Sequence, residues 1–148
     1  MKKIVYLVTL IVSLGAMLSC TQNNGYIGPL FGQWQLKKIT TNAQVEVCDT
    51  VFLAFQSDVF QIRKVNYESY VSMSYTGLYR RPDNNLQLHI YNYWGNEILT
   101  TNDTINTLKT LEHLYIDELS PIFVVEQLDN SNMVLVYKGH KYHYKKLN

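Results

Sequence analysis

Thr50-Val51-Phe52-Leu53-Ala54-Phe55-Gln56-Ser57-Asp58-Val59-Phe60-Gln61-Ile62 decides the fold. Val51, Leu53 and Phe55 alternate with their neighbours, Ser57-Asp58 breaks the pattern, and Phe60 and Ile62 resume it. Period-two hydrophobicity on both sides of a two-residue polar break is the signature of a β-hairpin. The idiom extends outward in both directions. Tyr67 to Tyr79 is long and rich in β-formers, Pro82-Asp83-Asn84-Asn85 is a turn signal, and Leu86, Leu88 and Ile90 then alternate with Gln87, His89 and Tyr91. In the tail, Ile122–Leu128 and Met133–Lys138 flank Asp129-Asn130-Ser131-Asn132, and Gly139 leads into a last strand.

One segment breaks the rhythm. From Thr104 to Leu119, Ile105, Leu108, Leu111, Tyr115 and Leu119 recur every three or four residues, with Ser120-Pro121 as a stop. This spacing predicts one short helix over about 104–119, with those side chains on its buried face. The whole reads as an all-β domain over residues 30–148 with eight strands: Phe31–Thr40, Thr50–Gln56, Val59–Val65, Glu68–Arg80, Asn85–Tyr93, Ile122–Leu128, Met133–Lys138 and Lys141–Leu147. A further short strand is expected at Val45–Val47. Eight antiparallel strands joined by tight turns suit an up-and-down barrel. Closure leaves no free edge, and the lumen of such a barrel is either filled by side chains or holds one small ligand.

The start of the chain speaks to location. Lys2-Lys3, the apolar run Ile4–Leu14 and Gly15-Ala16-Met17-Leu18-Ser19 have the order of a secretory signal peptide over residues 1–19. The apolar run is shorter than the ~20 residues of a membrane span. Leu18-Ser19-Cys20 resembles the lipobox of bacterial lipoproteins, which implies that Cys20 carries a lipid and becomes the new N-terminus. Residues 20–29, with their amides, two glycines and Pro29, then form a flexible tether. The expected location is the cell envelope, lipid-anchored on the outer membrane and facing the periplasm. Thr21-Gln22-Asn23-Asn24 lacks the acidic run that marks surface export in lipoproteins of this kind. With Cys20 lipidated, Cys48 is the remaining thiol and no internal disulfide can form.

Just inside the first strand stands Gly32-Gln33-Trp34, the G-x-W with which lipocalins begin. Gly77-Leu78-Tyr79 before Leu86-Gln87-Leu88, and Phe123–Leu128 before Met133-Val134-Leu135-Val136 and Tyr144-Lys145-Lys146, look like the lipocalin-like lipoproteins of Bacteroidetes. The resemblance implies a lipocalin-like barrel with Trp34 plugging one end. In that family an arginine on the last strand packs over the tryptophan; here that strand offers Lys141, Lys145 and Lys146.

Composition excludes some functions. The formal charge is +1, and the basic residues form pairs (Arg80-Arg81, Lys145-Lys146) instead of a patch, so no nucleic-acid partner is expected. Period-two counting from Trp34 puts Leu36, Leu53, Phe55, Phe60, Ile62, Met73, Tyr75, Tyr79, Leu86, Leu88, Ile90, Phe123, Val125, Met133, Leu135, Tyr137, Tyr142 and Tyr144 on the inner face. Trp34, Tyr75, Tyr79, Leu88, Leu135 and Tyr142 are the candidate ligand wall, with tyrosine hydroxyls to hold the polar head of a small apolar or amphiphilic molecule. The alternative is a lumen filled by these same side chains, the barrel then serving as an interaction or accessory module of an envelope protein complex.

No enzyme activity, cofactor or metal is expected. Cys48 has no local signature of a nucleophile–base pair. His140 and His143, three apart on a strand, point to opposite faces and cannot share an ion. Asp117-Glu118, adjacent on the expected helix, should diverge. Asp49-Thr50-Val51 and Asp103-Thr104-Ile105 resemble the acceptor for O-linked glycans on exported proteins, which makes Thr50 and Thr104 candidate modification sites.

Overall fold

The computed structural model describes residues 28–42 and 44–147. The signal peptide, Cys20 and most of the tether lie outside the described residues. The strands run β1 (Gly32–Thr41), β2 (Gln44–Val47), β3 (Val51–Gln56), β4 (Val59–Asn66), β5 (Val71–Arg80), β6 (Asn85–Tyr93) and β7 (Asn96–Glu97). Helix α1 (Thr101–Leu111) and a 3-10 turn (Glu112–Leu114) follow, then β8 (Ile122–Leu128), β9 (Asn132–Tyr137) and β10 (His140–Lys146). Neighbours pair antiparallel, and β10 returns to β1 from Trp34↔Lys146 to Thr41↔His140, which closes the sheet.

β1 has a divided neighbour. Gly32–Gln35 pairs with β3, and Lys38–Thr41 pairs with β2. The two short strands therefore form one interrupted stave, and the closed barrel has eight staves. β7 is a two-residue strand that folds back antiparallel on the end of β6. The expected eight-stranded barrel and the short strand at Val45–Val47 are both present.

The inner face follows the period-two count. Trp34, Leu36, Leu86 and Met133 are fully enclosed, and Phe55, Phe60, Tyr75, Leu135 and Tyr142 are nearly so. Met73, Tyr79, Val125 and Tyr144 are half-buried against this core. A β-bulge between Leu36 and Lys38 puts β1 out of phase, so Ile39 turns inward and is buried. Strict alternation from Trp34 skips it.

The helix differs from its sequence reading. It starts at Thr101 because Thr100 and Asp103 form a reciprocal capping box, and regular helix ends at Leu111. Thr107, Leu111 and Leu114 are its buried residues. Ile105 and Tyr115, expected on the buried face, are exposed, because the face pointing at the barrel is set by Thr107 and Leu111. Tyr115 takes a left-handed conformation (φ 55°) that ends the 3-10 turn. Residues 115–119 therefore leave the helix, and the Leu119 and Pro121 carbonyls accept from the Ile90 and Leu88 amides.

Antiparallel staves give the barrel two unlike ends. The Trp34 end carries the turns at Ser57-Asp58, Pro82–Asn84 and Asp129–Ser131. The other carries the 67–70 and 94–95 turns, Lys138-Gly139 and helix α1, with Leu111 and Leu114 set into the core.

Candidate functional site

At the plugged end, the Trp34 indole Nε1–H donates to the Leu30 carbonyl at 2.9 Å. Lys146 Nζ lies 5.1 Å from the ring centroid and donates to the Pro29 carbonyl at 2.9 Å. The cation over the tryptophan is thus supplied by a lysine. These contacts seal this end and pin the described start of the chain beside it.

The six candidate wall residues share the inner face, and five of them are almost wholly enclosed: Trp34 0%, Tyr75 1%, Leu88 3%, Leu135 1% and Tyr142 1% exposed. The hydroxyls expected to hold a ligand head are engaged by the chain itself. Tyr75 donates to Thr110 Oγ1 on α1 and Tyr142 to the Leu114 carbonyl, both at 2.7 Å. Tyr79 is half-buried, and its hydroxyl donates to the Ser57 carbonyl at 2.7 Å. Burial pushes the Tyr75 and Tyr142 phenols up, so they remain neutral donors. Two inner-wall tyrosines therefore fasten the helix over the mouth of the barrel.

A surface cleft of about 620 Å³ runs along the Ser57-Asp58 hairpin at the Trp34 end, and two more open at the helix-covered end. A cleft of about 460 Å³ is bounded by Leu108, Lys109, Glu112, Tyr115, Ile116, Asp117, Lys138 and His140. A second, of about 340 Å³, lies across Tyr115 against Ile39, Thr41, Gln44, Val45 and Glu46. Tyr115 is the partition between them. Its ring stacks on His140 at 4.1 Å and 12°, its hydroxyl donates to Glu46 at 3.0 Å, and His140 Nδ1 bonds the Thr41 hydroxyl at 2.6 Å. No sequence pattern announces this group, because it joins the helix exit to β1, β2 and β10 across more than 60 residues of chain.

The remaining sequence candidates separate. Cys48 is half-buried, and burial, followed by the neighbouring Glu46 carboxylate, pushes its thiol up to about 11. That is the reverse of what a nucleophilic thiol requires. His143 bonds Thr40 at 3.0 Å while His140 faces Tyr115, so the two point apart. Among the described residues no group of three or more His, Cys, Asp or Glu side chains is placed to hold a metal. Asp117 and Glu118 do not diverge: outside the helix, both accept from the Tyr137 hydroxyl and both pair with Lys138. This is a surface ion cluster. Thr50 is half-buried in a turn and its carbonyl accepts from Val65 N. Thr104 is half-buried in the first turn of α1, and its hydroxyl donates to the Thr100 carbonyl at 3.2 Å.

A closed eight-stave barrel, a tryptophan plug under a cation and a helix across the mouth define a lipocalin-like protein. The chain matches the lipocalin-like domain family over residues 14–147 and belongs to it. Its fold is similar to that of a lipocalin-like protein from Bacteroides uniformis (TM-score 0.65, 22% identity, 81% of this chain and 100% of the other). It is equally similar to an uncharacterized protein from Bacteroides eggerthii (TM-score 0.64, 22% identity, 80% of this chain and 99% of the other). No curated protein matches the chain.

Proposed function

We propose that this chain is a non-enzymatic, lipid-anchored binding module of the cell envelope that binds at the helix-covered end of its barrel and not within the lumen. One observation carries the reading: the inner wall is enclosed, and its tyrosine hydroxyls already bond helix α1 and the loop after it. A ligand in the lumen would have to displace the helix and break both bonds. The anchor follows from the lipobox-like Leu18-Ser19-Cys20. Pro29 and Leu30 bond Lys146 and Trp34 at the end opposite the helix, which leaves the helix end free to face away from the anchoring membrane. Cys20→Ser should move the protein from the membrane to the soluble envelope fraction; unchanged fractionation of a processed chain refutes the anchor.

A second reading has its own support. The cleft beside Tyr115 has an apolar floor of Leu108 and Ile116, with Lys109, Glu112 and the Asp117–Lys138 ion pair at its edge. Its volume reaches the ~300 Å³ lower bound of small-molecule sites. It suits a small amphiphile. Native mass spectrometry of envelope-purified protein, followed by displacement of a fluorescent fatty acid, separates the two. A protein subunit retained without displacement at high micromolar fatty acid is expected. Stoichiometric retention of a lipid would put the amphiphile reading first.

A further inference from the structure

The turns at the two ends of the barrel differ in chemistry. At the Trp34 end, left-handed backbone is taken by Ser57 (φ 54°) and Asp83 (φ 52°). At the helix end it is taken by Asn42 and Lys138, but also by three aromatic residues: Tyr70 (φ 56°), Trp94 (φ 53°) and Tyr115 (φ 55°). Glycine and asparagine are the ordinary occupants of such positions, and a bulky side chain there is a strained exception. Burial does not offset the strain at two of them, since Tyr70 is 92% and Trp94 54% exposed. Strain held at exposed rings points to a binding role for those rings.

The Trp94 ring is fixed in place. The Trp94 amide and indole N–H donate to the Ser74 and Ser72 carbonyls at 2.9 and 2.6 Å, which sets this turn beside the start of β5 and the Tyr70 turn. Trp94 stacks on Tyr93 (6.1 Å) and Tyr93 on Tyr75 (5.1 Å), a ladder of rings from surface to core. Tyr67, Leu99 and Ile105 are also exposed at this end. Together with Tyr70, Val71 and Trp94 they present on the order of 700 Å² of side-chain surface, close to the ~800 Å² that each side of a standard protein interface contributes. Rigid, exposed aromatic anchors are the side chains that dominate binding energy at such interfaces.

The acids nearest these rings are Glu68 in the 67–70 turn, Glu97 on β7 and Asp103 in the first turn of α1. No lysine or arginine falls between Lys64 and Arg80 or between Arg81 and Lys109; the lysines of this end include Lys64, opposite Met73, and Lys109 and Lys138, at the cleft beside Tyr115. An acidic rim repels an anionic membrane surface. Two copies joined face to face by this patch would set like charges against each other. Resting on the reading that binding occurs at the helix end, we propose that this aromatic crown docks a partner protein whose contact segment is cationic: an apolar centre rimmed by lysine and arginine, with cations reaching the faces of Trp94 and Tyr70.

The test uses the full chain in its native cells, with a benzophenone amino acid at Tyr70 and, as a control, at Leu78 on the outer wall. Tyr70 should yield a light-dependent adduct that Leu78 does not, and the cross-linked partner peptide should be rich in lysine and arginine. The purified partner should then bind more weakly as salt rises, and Glu68→Lys with Glu97→Lys should weaken it at least ~10-fold and flatten the salt dependence. Tyr70→Gly separates binding from folding. It relieves left-handed strain, so melting should be unchanged or raised, while affinity should fall about 10-fold. An adduct with lipid, with a second copy or with an acidic segment overturns the proposal, as does full binding by Tyr70→Gly. A retained partner that cross-links from Leu78 and not from Tyr70 refutes the crown alone. Absence of any retained partner refutes the underlying reading as well.

Discussion

Gly77 gives the barrel its most demanding test. It lies on β5, buried, opposite Phe60 on β4 and Ile90 on β6, at a bulge between Thr76 and Gly77. An alanine Cβ at this position would lie 1.9 Å from the His89 carbonyl oxygen and 2.6 Å from the Phe60 ring. A carbon and a carbonyl oxygen rest at about 3.3 Å, so the β6 backbone would have to retreat by more than ~1 Å, enough to break ladder bonds that tolerate only ~2.7–3.2 Å. Overpacking costs about 1–3 kcal/mol and each lost ladder bond about 1 more. The loss expected for Gly77→Ala is therefore roughly 3–5 kcal/mol, a large share of the ~5–15 kcal/mol that holds a domain together. The ~0.5–1 kcal/mol by which alanine is the better strand residue does not offset it. Urea unfolding followed by tryptophan fluorescence should show the midpoint falling at constant m, with melting lowered by more than ~10 °C. Phe60→Leu in the same chain should recover part of the loss, since it removes one of the two obstructions. A Gly77→Ala protein within ~1 kcal/mol of the parent, or strict additivity with Phe60→Leu, would refute the packing argument.

Three further outcomes are expected. Trp34→Ala should cost about 3–5 kcal/mol, and in a Trp94→Phe background Trp34 emission should be blue-shifted and shielded from iodide; a quenched Trp34 would remove it from the plug. Thr100→Ala removes the helix cap and should cost about 1 kcal/mol, with faster amide exchange confined to the first turn of α1. Cys48 should alkylate slowly at pH 8, its rate rising with a midpoint near pH 11 instead of near the ordinary 9.0. Between those two values the folded chain holds the thiol proton more tightly than the unfolded chain, so stability declines as pH rises through the window and Cys48→Ala flattens that decline.

The strands were legible because each stave has one face in the core and one toward solvent, and that difference writes a period of two into the chain. Leu53, Phe55, Phe60, Leu86 and Leu88 could be assigned inward on that basis alone. Ile39 could not, because a single bulged residue reverses the phase of the rest of β1 and leaves no local mark. The helix was visible but its face was not. Threonine at 107 reads as polar, yet it is the buried residue, while Ile105 reads as core and faces solvent. The group around Tyr115 was beyond reach for another reason. It depends on one left-handed residue that redirects the chain after the 3-10 turn, and on contacts to Glu46 and His140 that only closure of the barrel creates.

Filling the lumen bears on function as well as on stability. A barrel that opens to admit a ligand needs a lid held weakly enough to leave; here the lid is tied down by phenol hydroxyls from two staves and by Leu111 and Leu114 in the core. Releasing it would expose those leucines and leave both tyrosine hydroxyls to find new partners in an apolar interior, a cost of several kcal/mol before any ligand contributes. The same bonds hold the helix over the mouth of the barrel, which suits the docking role proposed above, because side chains already fixed lose little freedom on binding. The ladder Tyr75–Tyr93–Trp94 joins the two properties in one set of residues: its inner ring helps fill the lumen and bonds the helix, and its outer ring stands exposed in the crown. A side chain that helps fill the lumen is in this way also part of what holds the exposed Trp94 ring in place.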